Sequence, residues 1–255
     1  MADLYFSSTN SGSTNGDNGS SWYSDSGFVG VHGLTPTAGD NAYFEEGIAD
    51  SYSFTCDNVY VSGATLTTVN SGQTIASVTA GSITTNGGIV TSLSAGTTIT
   101  TNNGTVSGCY GSITTNNGTI DSVTVTGVVT TNASSAVITV NYGTVTENAS
   151  GGTVTTNGAA STITTNNGTV TSNLGTITTN ASGAVTSNAG TITTNSASGN
   201  VLANSGTITT NSGNVKIGVI TGGSGTLFAA ATTNLTNHTA GTNVTLPSGS
   251  GLTWW

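Results

Sequence analysis

The sequence predicts an all-β protein, a parallel β-solenoid of short coils preceded by a small N-terminal β module, and three observations predict it. Between Ile83 and Val215, eighteen Ile or Val residues, each followed by a Thr/Ser-rich polar stretch, recur at spacings of seven, eight or nine residues. The segments between them are runs of Gly, Asn, Ala and Ser with no helical periodicity. Charge is almost absent, with one basic and ten acidic residues in 255.

Each element follows from its local chemistry. In Thr-Ile-Thr-Thr-Asn, alternation about a β-branched residue predicts a short strand with Ile inward and its threonine neighbours outward. Asn-Gly and Ser-Gly pairs predict corners that need positive φ, and Asn at successive corners predicts stacked amide ladders. Leu66 and Ile75 extend the series towards the N-terminus. Strand plus corner at this spacing is the pattern of a solenoid, in which each coil buries its apolar face on the next.

Composition divides the chain into three segments. Eight of the ten acidic residues lie within the first 57 positions, with Trp22 and four of the five phenylalanines. The expected organisation is an N-terminal capping or attachment module at 1–58, a repeat region at 59–220 and a C-terminal cap segment at 221–255, which ends in Gly-Leu-Thr-Trp-Trp. Because the Thr-Thr-Asn form recurs at every second strand, a coil of about 16 residues with two strand faces is expected. The additional Thr-Thr-Asn after Val154 leaves open a three-sided coil of about 23 residues, or three interwound chains. Burial of so few Ile and Val side chains does little against the entropy of ordering the repeat. A face packed against identical chains would help, so the expected assembly is a homotrimer.

The residues present exclude several functions. A chain with no Arg and the single Lys216 cannot neutralise a phosphate backbone, so no nucleic acid is expected as partner. No apolar run is long enough to cross a membrane, and the start of the chain shows no charged segment followed by an apolar one. Synthesis in the cytoplasm without export is the expectation, and sequons such as Asn103-Gly-Thr105 then carry no glycosylation meaning. Cys56 and Cys109 have neither metal-ligand spacing nor a disulfide framework and read as small buried hydrophobes.

No catalytic constellation is expected. Polysaccharide cleavage needs paired carboxylates, and the repeat region has only Asp121 and Glu147, several coils apart. His32 and His238 lack a nearby Ser/Asp or metal-ligand set. There is no Gly-x-Ser-x-Gly elbow and no calcium-binding Gly-Gly-x-Gly-x-Asp repeat. The expected protein is therefore not an enzyme, with no cofactor and no metal. Candidate attachment or capping residues are Trp22, Tyr23 and Phe44 in the N-terminal module and Trp254 and Trp255 at the C-terminus. Large aromatics there can cover an open strand edge or anchor in a neighbouring protein.

Two resemblances add to this reading. The order Ser-Ser-Trp-Tyr-Ser-Asp-Ser-Gly-Phe (20–28), Pro-Thr-Ala-Gly-Asp-Asn-Ala-Tyr-Phe-Glu-Glu-Gly (36–47), then solenoid coils from Tyr60, resembles phage structural proteins and bacterial surface repeat proteins. The Thr/Asn/Gly repeat is similar to the shafts of viral fibres and head decorations. The resemblance implies a trimeric, non-enzymatic bacteriophage virion protein: a capsid decoration, cement or head fibre protein bound to the major capsid protein or other virion proteins. A short tail fibre, or a host-binding adhesin that contacts surface glycans, is the alternative. Thr-Ile-Thr and Thr-Val-Thr units such as those at Thr98 and Thr176 also resemble the ice-binding face of hyperactive antifreeze proteins. Their presence on both expected faces and their uneven spacing count against that reading.

Overall fold

The computed structural model describes residues 2–215, apart from 9–14, 25, 29–32, 34, 53, 55 and 57, together with residues 227–229. The chain divides into two compact units, Met1–Val128 and Val129–Trp255. Each is a parallel β-solenoid, and strand makes up nearly all of the regular structure.

In the first unit, β1 (Asp3–Ser7) is followed by a 3-10 turn at Gly19–Ser21, β2 (Trp22–Tyr23), β3 (Asn41–Glu46) and β4 (Ile48–Ala49). The long β5 (Asn58–Val69), β6 (Thr74–Ile75) and the long β7 (Ser77–Asn86) come next. The five-residue strands β8 (Ile89–Leu93), β9 (Thr98–Asn102), β10 (Thr105–Cys109), β11 (Ser112–Asn116) and β12 (Thr119–Val123) complete the unit. Strand β5 runs through the compositional boundary at residue 58, because β1, β3 and β5 already stack in parallel, with Leu4 opposite Ala42 and Phe44 opposite Val61. Strand β2 lies antiparallel along the other edge of β1, with Trp22 opposite Phe6, and so covers the edge that the first coil would otherwise expose.

The size of the coil changes along this unit. The early coils carry an additional segment, Asn58–Val61 of β5 and then the start of β7, joined through Tyr60 opposite Ser77. After β8 that segment shrinks to a corner, and each coil has two strands: β9 stacks on β7 and β11 on β9, while β10 stacks on β8 and β12 on β10. Register offsets are 17 residues from β3 to β5 (Asn41 to Asn58) and 16 from β7 to β9 (Ile83 to Ile99), close to the two-sided coil of about 16, so the three-sided coil of about 23 residues is not formed. One chain completes every coil, so three interwound chains are not the geometry.

The second unit repeats the two-stranded coil from β13 (Val128–Asn132) and β14 (Val137–Asn141) onward. One sheet holds β15 (Thr144–Asn148), β17 (Thr162–Asn166), β19 (Thr176–Asn180), β21 (Thr191–Asn195) and β23 (Thr207–Asn211). The other holds β14, β16 (Thr153–Asn157), β18 (Thr169–Asn173), β20 (Ala184–Asn188), β22 (Asn200–Asn204) and β24 (Asn214–Val215). A short β25 (Leu227–Ala229) pairs with β23.

All eighteen Ile and Val positions of the repeat are buried, as are Leu66 and Ile75. Within each pentapeptide the second residue points inward and the third outward, as alternation requires. Strict alternation fails at the end, where the fifth residue, asparagine, is fully buried and the fourth is only partly covered. The strand bends into the corner there and rotates Asn180 and its counterparts inward.

Buried amides are tolerable because each is hydrogen-bonded to its neighbours in the stack. In the second unit the Nδ2 of Asn132 donates to Asn148 Oδ1, and the chain continues through Asn166, Asn180 and Asn195 to Asn211 at 2.7–2.8 Å per step. A second ladder at the opposite corner joins Asn141, Asn157, Asn173, Asn188 and Asn204. The first unit has one such ladder, Asn86 to Asn102 to Asn116. The matching position of its other sheet holds Leu93, Cys109 and Val123 in register. The ladder expectation thus holds, and the corners of the first unit are half amide and half apolar.

The positive φ expected of the corner glycines is met only in part. Positive φ occurs at the Ser-Gly corners Gly72 and Gly151, whereas the Asn-Gly glycines 104, 118 and 168 do not adopt it. Their constraint is closeness: a Cβ on Gly104 would lie 2.0 Å from Gly88 O, and one on Gly118 would lie 2.1 Å from Gly104 O. Glycine stacks on glycine so that successive corners can approach at the coil repeat.

Candidate functional site

The expected N-terminal site residues lie in a buried aromatic cluster. Phe6, Trp22 and Phe44 are completely buried, with ring centroids 5.1–5.4 Å apart. The Trp22 indole N–H donates to Gly16 O at 2.8 Å, and Tyr23 is nearly buried against Phe28. These side chains face the interior beneath β1 and offer no rings to a partner. Trp254, Trp255, His32 and His238 lie outside the described residues.

Titratable groups are dispersed. Asp121 points outward on β12, and Glu147 on β15 accepts from Asn167 Nδ2 at 3.2 Å. Among the described residues no group of three or more His, Cys, Asp or Glu could hold a metal ion, and no helix is long and apolar enough to cross a membrane. Neither cysteine is in a disulfide. Cys109 is buried as expected, and burial pushes its thiol up to about 12. Cys56 is only half-buried. It lines an open cleft of about 440 Å³ with Tyr52, Phe54 and Gln73. Two of its polar side chains are engaged: Gln73 Nε2 donates to Tyr52 O, and the Tyr52 hydroxyl, raised in pKa by burial, donates to Thr74 O.

Two outward surfaces are ordered instead. On β1, β3 and β5 the rings of Tyr5, Tyr43 and Tyr60 stack at centroid distances of 5.1 and 4.7 Å. Beside them Asn58 Nδ2 donates to Asn41 Oδ1, and Asn41 Nδ2 donates to Asp3 Oδ1. Desolvation, then the Asp3 carboxylate, raises the Tyr43 phenol. Sequence reasoning passed over this column, although its signal is the thrice-repeated Asp-Leu-Tyr-Phe, Asn-Ala-Tyr-Phe and Asn-Val-Tyr-Val at 3–6, 41–44 and 58–61.

The second surface is the outer face of β15, β17, β19, β21 and β23. Their first residues, Thr144, Thr162, Thr176, Thr191 and Thr207, stand in register. Their third residues, Thr146, Thr164, Thr178, Thr193 and Thr209, form a second, exposed column. The fourth positions are also threonine except for Glu147. The opposite sheet is mixed, with Val137, Ala184 and Asn200 at its first positions and Leu202 among its third. The uneven spacing along the chain is absorbed in the corners, where coils of 14 to 18 residues bring every pentapeptide to the same register.

No family model matches the chain, and no curated protein and no solved structure is found to match it.

Proposed function

We propose that the chain is a non-enzymatic structural protein of a bacteriophage particle, a capsid decoration, cement or head fibre protein displayed as a homotrimeric β-solenoid. The observation that carries this reading is where the inward side chains are spent. Among the described residues, the inward positions of the repeat strands are aliphatic residues, the thiol of Cys109, or amides bonded to the same position one coil away. Such a chain invests in its own cohesion and in resistance to proteolysis, not in converging functional groups on one point. The N-terminal segments that resemble virion proteins supply the aromatic cluster under the first strand, and the major capsid protein is the partner this reading implies.

Mass spectrometry of purified particles tests it: this polypeptide should appear in high copy number beside the capsid protein. Its absence from particles, or a monomer by sedimentation equilibrium, counts against the assignment and the trimer respectively.

A second reading, a short tail fibre or adhesin, draws on the stacked tyrosines and their flanking amides. Aromatic faces and amides are the groups that hold sugars. Binding of a host-surface glycan that Tyr43→Ala abolishes would favour it.

A further inference from the structure

We propose that the threonine face of β15, β17, β19, β21 and β23 is a water-ordering surface that adsorbs to ice. The variable spacing that counted against this reading does not reach the strands, and two adjacent threonine columns run unbroken on this sheet alone. The opposite sheet has a third-position column, Thr139, Thr155, Thr171 and Thr186, but its first positions are interrupted by Val137, Ala184 and Asn200.

The physical argument runs from lattice to ligand. Adjacent strands repeat at about 4.8 Å, and threonines two residues apart on one strand lie about 6.6 Å apart. Two in-register columns therefore form a two-dimensional net of methyl and hydroxyl groups with repeats of the size found between oxygens in ice. Threonine is β-branched and stiff at χ1, so the net is held with little side-chain freedom to lose. Among the described residues no side-chain hydrogen bond joins the threonines of these two columns, and their hydroxyls are left to water. Glu147 stands at the edge of the array, and the two columns themselves carry no charge that would hold a disordered hydration shell. The amide ladder behind the sheet, with Asn166, Asn180 and Asn195, keeps the coils aligned. A periodic, neutral, rigid surface with single-contact hydroxyls suits an extended crystalline ligand better than a discrete molecule, which would need converging polar groups.

The test uses the full-length chain with ice as the probe, read by thermal hysteresis, recrystallisation inhibition and partition into a slowly growing ice front. The parent protein should show all three. Thr178→Tyr, in the centre of the exposed column, should reduce hysteresis several-fold with an unchanged far-ultraviolet spectrum. Thr171→Tyr, at the equivalent place on the opposite sheet, should retain it. Absence of activity in the parent, equal loss in both variants, or self-association through the face that Thr178→Tyr abolishes would each overturn the proposal. Detection in virions is independent of every one of these outcomes.

Discussion

Asn166 donates its side-chain N–H to Asn180 Oδ1 at 2.8 Å, and Asn180 passes the same bond to Asn195 at 2.7 Å. Both amides are completely buried, so the middle residue holds one donor and one acceptor that no water can replace. Asn180→Ala should cost about 2–5 kcal/mol, the penalty for leaving two buried polar atoms unpaired. Asn180→Asp should also destabilise at neutral pH, because its carboxylate can accept from Asn166 but can only repel Asn195 Oδ1. Burial raises such a carboxyl, so the Asp variant should regain stability as pH falls and the acid becomes a donor. Urea unfolding at several pH values checks both variants.

Gly190→Ala should destabilise more than Gly96→Ala. A Cβ on Gly190 would lie 2.1 Å from Gly175 O, which forces two corners apart, whereas Gly96 has open space and a φ of +83°. The open position should cost about 1–2 kcal/mol for the left-handed conformation, and the crowded one about 3 kcal/mol or more. Thermal melts of the two variants give the order.

Ile177→Ala should cost about 2–5 kcal/mol, because Ile177 is fully buried between Ile163 and Ile192 and closely stacked strands cannot collapse into the space. Denaturant unfolding measures it.

The two cysteines should separate by reactivity. In the native protein at pH 8 a thiol reagent should label Cys56 quickly. Cys109, buried and shifted to about 12, should react only after denaturation. Equal labelling of both in the native state would contradict the apolar corner column of the first unit.

Asp40 should contribute to acid sensitivity. The Thr37 hydroxyl and amide and the Ala2 amide donate to its carboxylate and hold it below the usual range. Its contribution is present above the unfolded-state pKa and is lost as pH falls through the lower folded one. Asp40→Asn should flatten that part of the stability-against-pH curve, as melts between neutral and acidic pH would show.

The regular part of the fold was legible because its information is local. Ile177 and Thr178 declare their sides of the strand by alternation, and Asn180 declares a corner by following two threonines. The stacked tyrosines were not read, since Tyr5, Tyr43 and Tyr60 are neighbours only after unequal loops close. The Asn-Gly glycines were assigned the wrong reason for the same cause: the atom each would strike belongs to another coil.

By itself the sequence determined that the protein is a parallel β-solenoid of aliphatic residues and amides with almost no charge, because strand, corner and burial are written into each pentapeptide. Only the tertiary structure decided that the coil is two-stranded over most of its length, that Trp22 and Phe44 are interior, and that two adjacent threonine columns run unbroken on only one face. Those are matters of register between segments 14 to 18 residues apart, and register is set by how the corners pack on one another.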